Sequence, residues 1–483
     1  MSDIAIEKIN EVFFKIYCEP AIAYELNDYF SFFVPGYQFQ PKYRAKVWDG
    51  KIRLFHLLSQ TLYAGLYRHV EKFAKDRDYT VEYLNPTEIE TIDREDAEKF
   101  VATLKSSYVP REYQYDAFIT AVNNERLLLL SPTASGKSFI IYLLLRYYAK
   151  RTLIIVPTTT LVGQLADDFR DYGFDSDRFI HKIYSGKDKN TDKPVVITTW
   201  QSIYKLPKDW FDKFSVVIGD EAHGFKAKSL TSIMTKLENC KYRFGTTGTL
   251  DGTETNRLVL EGLFGPVYSV ISTKELMNQG HISKLNIKAL VLNYKQETRK
   301  FLNGSNYQDE ISFLIGCEPR NNFIRNLALS MKGNTLVLFH RVEQHGKILH
   351  KIIKEAAAEG RNIYYVSGEV ETEIREQIRK IVNTEKDAIV VASMLTFSTG
   401  INIPNLHNVI FASPSKARIK ILQSIGRALR KAVEKHVADL YDIADDLTFK
   451  SWTNYTLNHF MERVTIYNSE QLDYKIYKIP VDA

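Results

Sequence analysis

An apolar run, Leu127–Leu130, is followed at once by SPTASGKS, residues 131 to 138, and then by a helical pattern over Phe139–Tyr148. A strand that turns through a short glycine loop into a helix belongs to one kind of architecture, a parallel sheet with crossover helices. The alternation continues. Thr152–Val156, Val195–Thr199 and Val216–Gly219 read as buried strands, with a helix expected over Leu161–Tyr172. A second series starts near Lys284, with strands expected at Ile287–Leu292, Thr335–Phe339, Asn362–Val366, Ala388–Ala392 and Asn408–Ala412. The 483 residues exceed what one hydrophobic core normally supports. Two tandem α/β domains are therefore expected, at 99–280 and 281–483. Residues 1–98 are aromatic-rich and end in an acidic stretch with Glu88, Glu90, Asp93, Glu95 and Asp96; they are assigned to a small α/β N-terminal domain.

Ligands of such sheets bind outside the carboxyl ends of the strands. SPTASGKS sits there and is close to the phosphate-loop pattern GxxxxGKS, with Ser131 in place of the first glycine. Pro132, Thr133, Ala134, Ser135 and Gly136 are expected to wrap the phosphates of ATP. Lys137 reaches the β- and γ-phosphates, and the Ser138 hydroxyl holds Mg²⁺. The strand Val216–Gly219 runs into Asp220, Glu221, Ala222 and His223. A carboxylate at that strand end can serve as a second Mg²⁺ partner, here Asp220, and the adjacent Glu221 can polarise the attacking water.

DEAH after such a loop is a signature of superfamily 2 helicases, and further segments resemble that family's motifs in order. Arg111, Tyr113 and Gln114 resemble the adenine-reading element. PTTTL (157–161) and TTWQS (198–202) resemble the two strand-contacting motifs of the first domain, and TTGT (246–249) the coupling motif. LVLFHR (336–341), STGINIP (398–404) and QSIGRALR (423–430) resemble motifs IV, V and VI. The resemblance implies two tandem RecA-like domains with ATP and Mg²⁺ between them. It makes Arg427 and Arg430 arginine fingers, brings Gly400 to the nucleotide, and sets Thr158, Thr199, Gln201, Arg341 and Thr399 on one nucleic-acid strand. Two positions depart from the pattern. Motif V has Asn402 where an acid is frequent, and the coupling motif has Thr246 and Gly248 for the usual Ser and Ala; Thr246 keeps the hydroxyl. WDGKIRLF (48–55), PTTTLVGQLADDF (157–169), YYVSGEV (364–370) and FSTGI (397–401) narrow the likeness to the UvsW-type family of phage helicases. That family implies a motor on forked DNA, Holliday junctions and R-loops. The alternatives are a DEAH-type RNA helicase, a duplex translocase, and an ATP-switched clamp that separates no strands.

Between Tyr29 and Arg53, aromatic and basic residues interleave. Lys42, Arg44 and Lys46 are expected to neutralise DNA phosphates, and Phe32, Phe33 and Trp48 to form the small domain's core. Asn303–Gly304 carries a hairpin signal, more often a surface turn than a strand-separating wedge. Lys416, Arg418 and Lys420 fit either a phosphate contact or a solvated helix face. The net charge of +6 permits a polyanionic partner without requiring one. No segment reads as membrane-spanning. The opening residues, with Asp3, Glu7 and Glu11, lack the basic-then-apolar pattern of a leader, so a cytoplasmic monomer is expected, in the host cell if phage-encoded. Cys18, Cys240 and Cys317 are too scattered for a disulfide framework or a metal site.

Overall fold

The computed structural model describes residues 2–86, 88–184, 188–250, 254–400, 403, 405–413 and 437–482. They divide into two compact units, Met1–Ser131 with Ser135–Ile271, and Ser272–Ala483 with Pro132–Ala134. No helix among the described residues is long and apolar enough to cross a membrane.

The first unit is built on a parallel sheet of seven described strands. Their order is Val267–Ser269, Arg126–Leu130, Tyr242–Thr247, Val216–Asp220, Thr152–Val156, Val195–Thr199 and Ile180–Ile183. TLIIV and VVITT are buried along their whole length, as strands covered by helices on both faces must be. The helices Lys137–Tyr148 and Thr159–Asp171 cross between strands and bury Leu143, Leu144, Leu165 and Phe169.

The N-terminal segment, irregular to a reading of the sequence, forms a second sheet in the same unit. Its order is Thr61–Tyr63, Phe13–Cys18, Ile4–Lys8 and Val81–Tyr83. Ile4, Ile6, Ile16, Leu62 and Phe73 share one core with Leu258, which belongs to the helix Glu254–Phe264 of the large sheet. The contact is close. A Cβ on Gly65 would lie 2.0 Å from the Glu261 carbonyl oxygen, so only glycine fits there. Glu261 is 3% exposed and receives His69 Nε2 at 2.6 Å and Arg257 Nε at 2.5 Å. Arg126 adds a bond to the Glu11 carbonyl at 2.7 Å.

The second unit carries another parallel sheet of seven described strands. The order is Ile363–Val366, Ile389–Ser393, Thr335–Phe339, Asn408–Phe411, Val437–Asp446, Lys284–Asn293 and Tyr474–Pro480. Val437–Asp446 is unusual because two of its buried side chains are acidic. Asp445 takes a two-pronged bond from Arg320 (2.8 and 3.0 Å) and the Tyr294 hydroxyl at 2.8 Å. Asp442 is matched by Arg463 and by the Tyr467 hydroxyl at 2.8 Å. A buried carboxylate persists only with such partners.

One expectation holds and one is corrected. Asn303–Gly304 is a surface turn, not a hairpin: it follows the helix Gln296–Phe301 and precedes the helix Tyr307–Gly316, with Gly304 at φ +78°. The Asn-Gly signal makes a hairpin only between strands, and QETRKF before it is helical. Phe33 is not core: it stands 51% exposed, stacked on Tyr37 and covered by Lys51, while Phe32 beside it packs inward. Alternation along the short strand Ser31–Phe33 sends neighbours to opposite faces. Trp48 is half-buried and donates its indole N–H to the Lys51 carbonyl at 2.8 Å.

Candidate functional site

The carboxyl rim of the first sheet gathers most of the residues singled out in that unit. The loop after Arg126–Leu130 reaches Gly136 at φ +81°, the N-cap of the helix Lys137–Tyr148. A Cβ there would lie 2.4 Å from Gln114 Nε2, so the position demands glycine on two counts. Gln114 is buried and latches the loop: its amide donates to the Ser135 carbonyl at 3.0 Å, and its oxygen accepts from the Arg111 N–H at 2.8 Å. Tyr113 donates to the same Ser135 carbonyl at 3.0 Å, and Arg111 bonds the Tyr113 hydroxyl at 2.7 Å. Inside the loop, the Ser131 and Ser135 hydroxyls meet at 2.5 Å. Pro132, Thr133 and Ala134 form its outer turn, with Ala134 at φ +69°.

On the next strands lie the acids. Asp220 ends Val216–Asp220 and pairs in register with Thr246 on Tyr242–Thr247. That register lets the Thr246 hydroxyl donate to the Asp220 carboxylate at 2.7 Å. Glu221 sits in the left-handed region at φ +50° and faces Lys137, whose Nζ is 3.2 Å from Oε1. Glu221 Oε2 stays buried without a hydrogen bond, with His223 Nδ1 3.4 Å away. His223 in turn contacts the Thr247 hydroxyl at 3.1 Å, a second link from the acidic motif to the coupling motif. Burial pushes both carboxyls up. For Asp220 burial wins, while Lys137 and His223 overcome it at Glu221, which is held at about 2. The site thus sets an ionised Glu221 beside a lysine and a latched glycine loop.

Ser138 stands one residue into the helix, and its Oγ lies 2.8 Å from the Tyr172 hydroxyl. Tyr172 carries no motif letter, and sequence reasoning passed over it as the end of a helix. Only distance geometry reveals it.

The other half of the rim carries the strand-contact candidates. Thr158 follows Thr152–Val156 and caps the helix Thr159–Asp171, accepting from the Leu161 N–H at 3.4 Å. Thr199 ends the neighbouring strand, is buried, and meets the Ser202 hydroxyl at 3.0 Å; Gln201 beside it is exposed. In the second unit, Arg341 follows Thr335–Phe339 and is held by Gln308 (2.6 Å) and Gln344 (2.9 Å). Thr399 and Gly400 lie in the helix Met394–Gly400. Asn402, Lys416, Arg418, Lys420, Arg427 and Arg430 lie outside the described residues.

Away from the rim, the lobe between Ser31–Phe33 and Lys51–Arg53 presents Lys42, Arg44 and Lys46, all exposed. Phe39 (75%) and Val47 (78%) are exposed beside them, and Asp49 is tied to Arg53.

Comparison with known proteins assigns three regions. Residues 3–83 match the family "DNA helicase UvsW, N-terminal", residues 57–252 the family "Type III restriction enzyme, res subunit", and residues 319–432 the family "Helicase conserved C-terminal domain". The chain is 37% identical to the ATP-dependent DNA helicase uvsW of Enterobacteria phage T4, over 95% of this chain and 96% of that protein. It is 25% identical to the DNA 3'-5' translocase XPB2 of Sulfurisphaera tokodaii, over 68% of this chain and 80% of that one. The crystal structure of T4 UvsW aligns with a TM-score of 0.53 at 36% identity, over 99% of both chains.

Proposed function

The chain belongs to the UvsW family of superfamily 2 DNA helicases, and we propose that it uses ATP with Mg²⁺ to remodel branched DNA. It is an ATP-dependent DNA helicase. The substrates in view are forks, four-way junctions and R-loops, reached as a monomer in the host-cell cytoplasm.

One observation carries the reading: a single sheet rim holds both sets of groups the work needs. Lys137, Asp220, Glu221 and Thr246 stand on one half, and Thr158 and Thr199 on the other. Lys137 is placed to bind the β- and γ-phosphates. Glu221, kept ionised by Lys137, accepts a proton from the attacking water. Gln114 and Arg111 hold the loop and its approach to the adenine. Ser138 and Asp220 are hard oxygen donors, in the small number Mg²⁺ takes from protein when phosphates supply the rest, and Glu221 Oε2 beside them is buried without a hydrogen bond, as a group awaiting a partner would be. Held by Ser138 and Asp220, Mg²⁺ would supply positive charge to the phosphates. The family resemblance makes Arg427 and Arg430, which lie outside the described residues, the arginine fingers of this reading and Gly400 a nucleotide contact. Thr158, Thr199, Gln201, Arg341 and Thr399 grip one strand's backbone.

The basic lobe supports the branched substrate. Lys42, Arg44 and Lys46 face solvent near exposed rings, a pairing suited to phosphates and unstacked bases. The triple variant Lys42→Glu, Arg44→Glu, Lys46→Glu is expected to weaken four-way-junction binding at low salt. It should flatten the log–log salt slope by up to about 2–3, near 0.9 for each phosphate that is no longer neutralised. An unchanged junction affinity across the salt series would remove the lobe from the substrate site.

A further inference from the structure

The geometry points to Tyr172 as a positioning residue: it accepts a hydrogen bond from the Ser138 hydroxyl, aims that oxygen at the metal site, and ties it to the helix that begins at Thr158. The inference rests on the proposed phosphate-loop reading and deepens it.

A serine hydroxyl has one proton and two lone pairs. To hold a cation it must turn a lone pair inward, so its proton needs an acceptor elsewhere. Asp220 is already occupied on Oδ1, by the Thr246 hydroxyl at 2.7 Å and the Glu221 N–H at 2.9 Å. The Tyr172 hydroxyl lies 2.8 Å from Ser138 Oγ, and either oxygen can donate across that distance; with serine as the donor, both of its lone pairs stay free for the cation. Its ring is held in place by neighbours. Phe139 lies 4.8 Å away edge-on, Tyr108 4.9 Å and Tyr142 5.4 Å, centroid to centroid. Phe139 and Tyr142 are on the same helix as Ser138, so the phenol is fixed against the element it serves.

Position in the chain adds the second half. Tyr172 is the C-cap of the helix Thr159–Asp171, whose N-cap is Thr158, a proposed strand contact. A helix of 13 residues is a stiff rod of about 20 Å. A shift of its N-terminal end on DNA is therefore felt at Ser138 through one hydrogen bond. DNA engagement and metal–nucleotide affinity are coupled through that bond, and by linkage the coupling runs both ways.

The test uses the full chain and equilibrium binding. A fluorescent, non-hydrolysable ATP analogue is titrated at a series of Mg²⁺ concentrations and in EDTA, with and without single-stranded DNA, on the wild type, Tyr172→Phe and Ser138→Ala. Tyr172→Phe keeps the ring packing and should melt with the wild type. Its affinity in EDTA is expected to be unchanged, while its Mg²⁺ half-saturation rises about five- to tenfold, the loss of one hydrogen bond. The response of that half-saturation to DNA should shrink, with DNA affinity itself retained. Wild-type Mg²⁺ half-saturation in Tyr172→Phe overturns the inference. If Ser138→Ala also leaves the Mg²⁺ dependence intact, the phosphate-loop reading fails as well, so the two failures are distinguishable.

Discussion

Removing the Glu261 carboxylate should loosen the N-terminal sheet from the helix Glu254–Phe264. Glu261 is buried and accepts from His69 at 2.6 Å, a bond to an ionised acceptor of the kind worth about 1.5–3 kcal/mol. The second partner, Arg257, has a side chain 56% exposed, so solvent screening reduces its share to about 0.5 kcal/mol. Glu261→Ala is therefore expected to cost about 2–3 kcal/mol. For a unit of this size that is a fall in Tm of about 5–10 °C. Calorimetry would read the shift, and hydrogen exchange would locate it, with the helix Tyr67–Lys75 losing protection before the large sheet. A double-mutant cycle with His69→Ala isolates the pair and should return a coupling of at least about 1 kcal/mol. A Glu261→Ala protein within about 0.5 kcal/mol of wild type, or strict additivity in the cycle, would refute the claim that this contact docks the sheet.

Lys137→Ala should abolish ATP turnover and leave DNA affinity within about twofold, because the proposed strand contacts Thr158 and Thr199 lie on the other half of the rim; loss of DNA binding with the fold intact, in a filter-binding assay, would contradict that separation. Gly136→Ala places a Cβ 2.4 Å from Gln114 Nε2 at a left-handed φ costing about 1–2 kcal/mol, so nucleotide affinity measured by calorimetric titration should fall more than about tenfold. His345 is held neutral down to about 3, by burial first and by the nearby Arg320 second. Unfolding frees it to protonate near its usual value of about 6.5. Stability from this group is therefore complete above that pH and is lost as pH falls below it, by about 1.4 kcal/mol at pH 5.5. Denaturant midpoints of wild type and His345→Gln across pH 5 to 7 should converge as pH falls.

The large sheets were legible because their strands are apolar on both faces. TLIIV and VVITT declare themselves, and Thr152–Val156, Val195–Thr199 and Thr335–Phe339 form where they were expected. Val437–Asp446 was not legible. VADLYDIADD is too acidic to declare a buried strand, and partners from other elements, Arg320 and Tyr294 for Asp445 and Arg463 and Tyr467 for Asp442, make its aspartates tolerable inside. The N-terminal sheet hid because Thr61–Tyr63 and Val81–Tyr83 are three residues each, too short for a periodic signal. SPTASGKS, DEAH and TTGT were readable as letters, and at Gly136 the left-handed backbone shows why one of those letters is needed. Their couplings were not. Thr246 on Asp220, Gln114 on Ser135 and Tyr172 on Ser138 depend on strand register and helix packing, which a linear pattern does not encode.

That ATP hydrolysis at this rim serves branched DNA can be put to one assay. The steady-state ATPase rate is measured alone and then with single-stranded DNA, linear duplex, a four-way junction and RNA. Strong stimulation by the junction and by single strands, with little by RNA, is the expected result. Preferential stimulation by RNA, or a rate indifferent to every polymer, would contradict it.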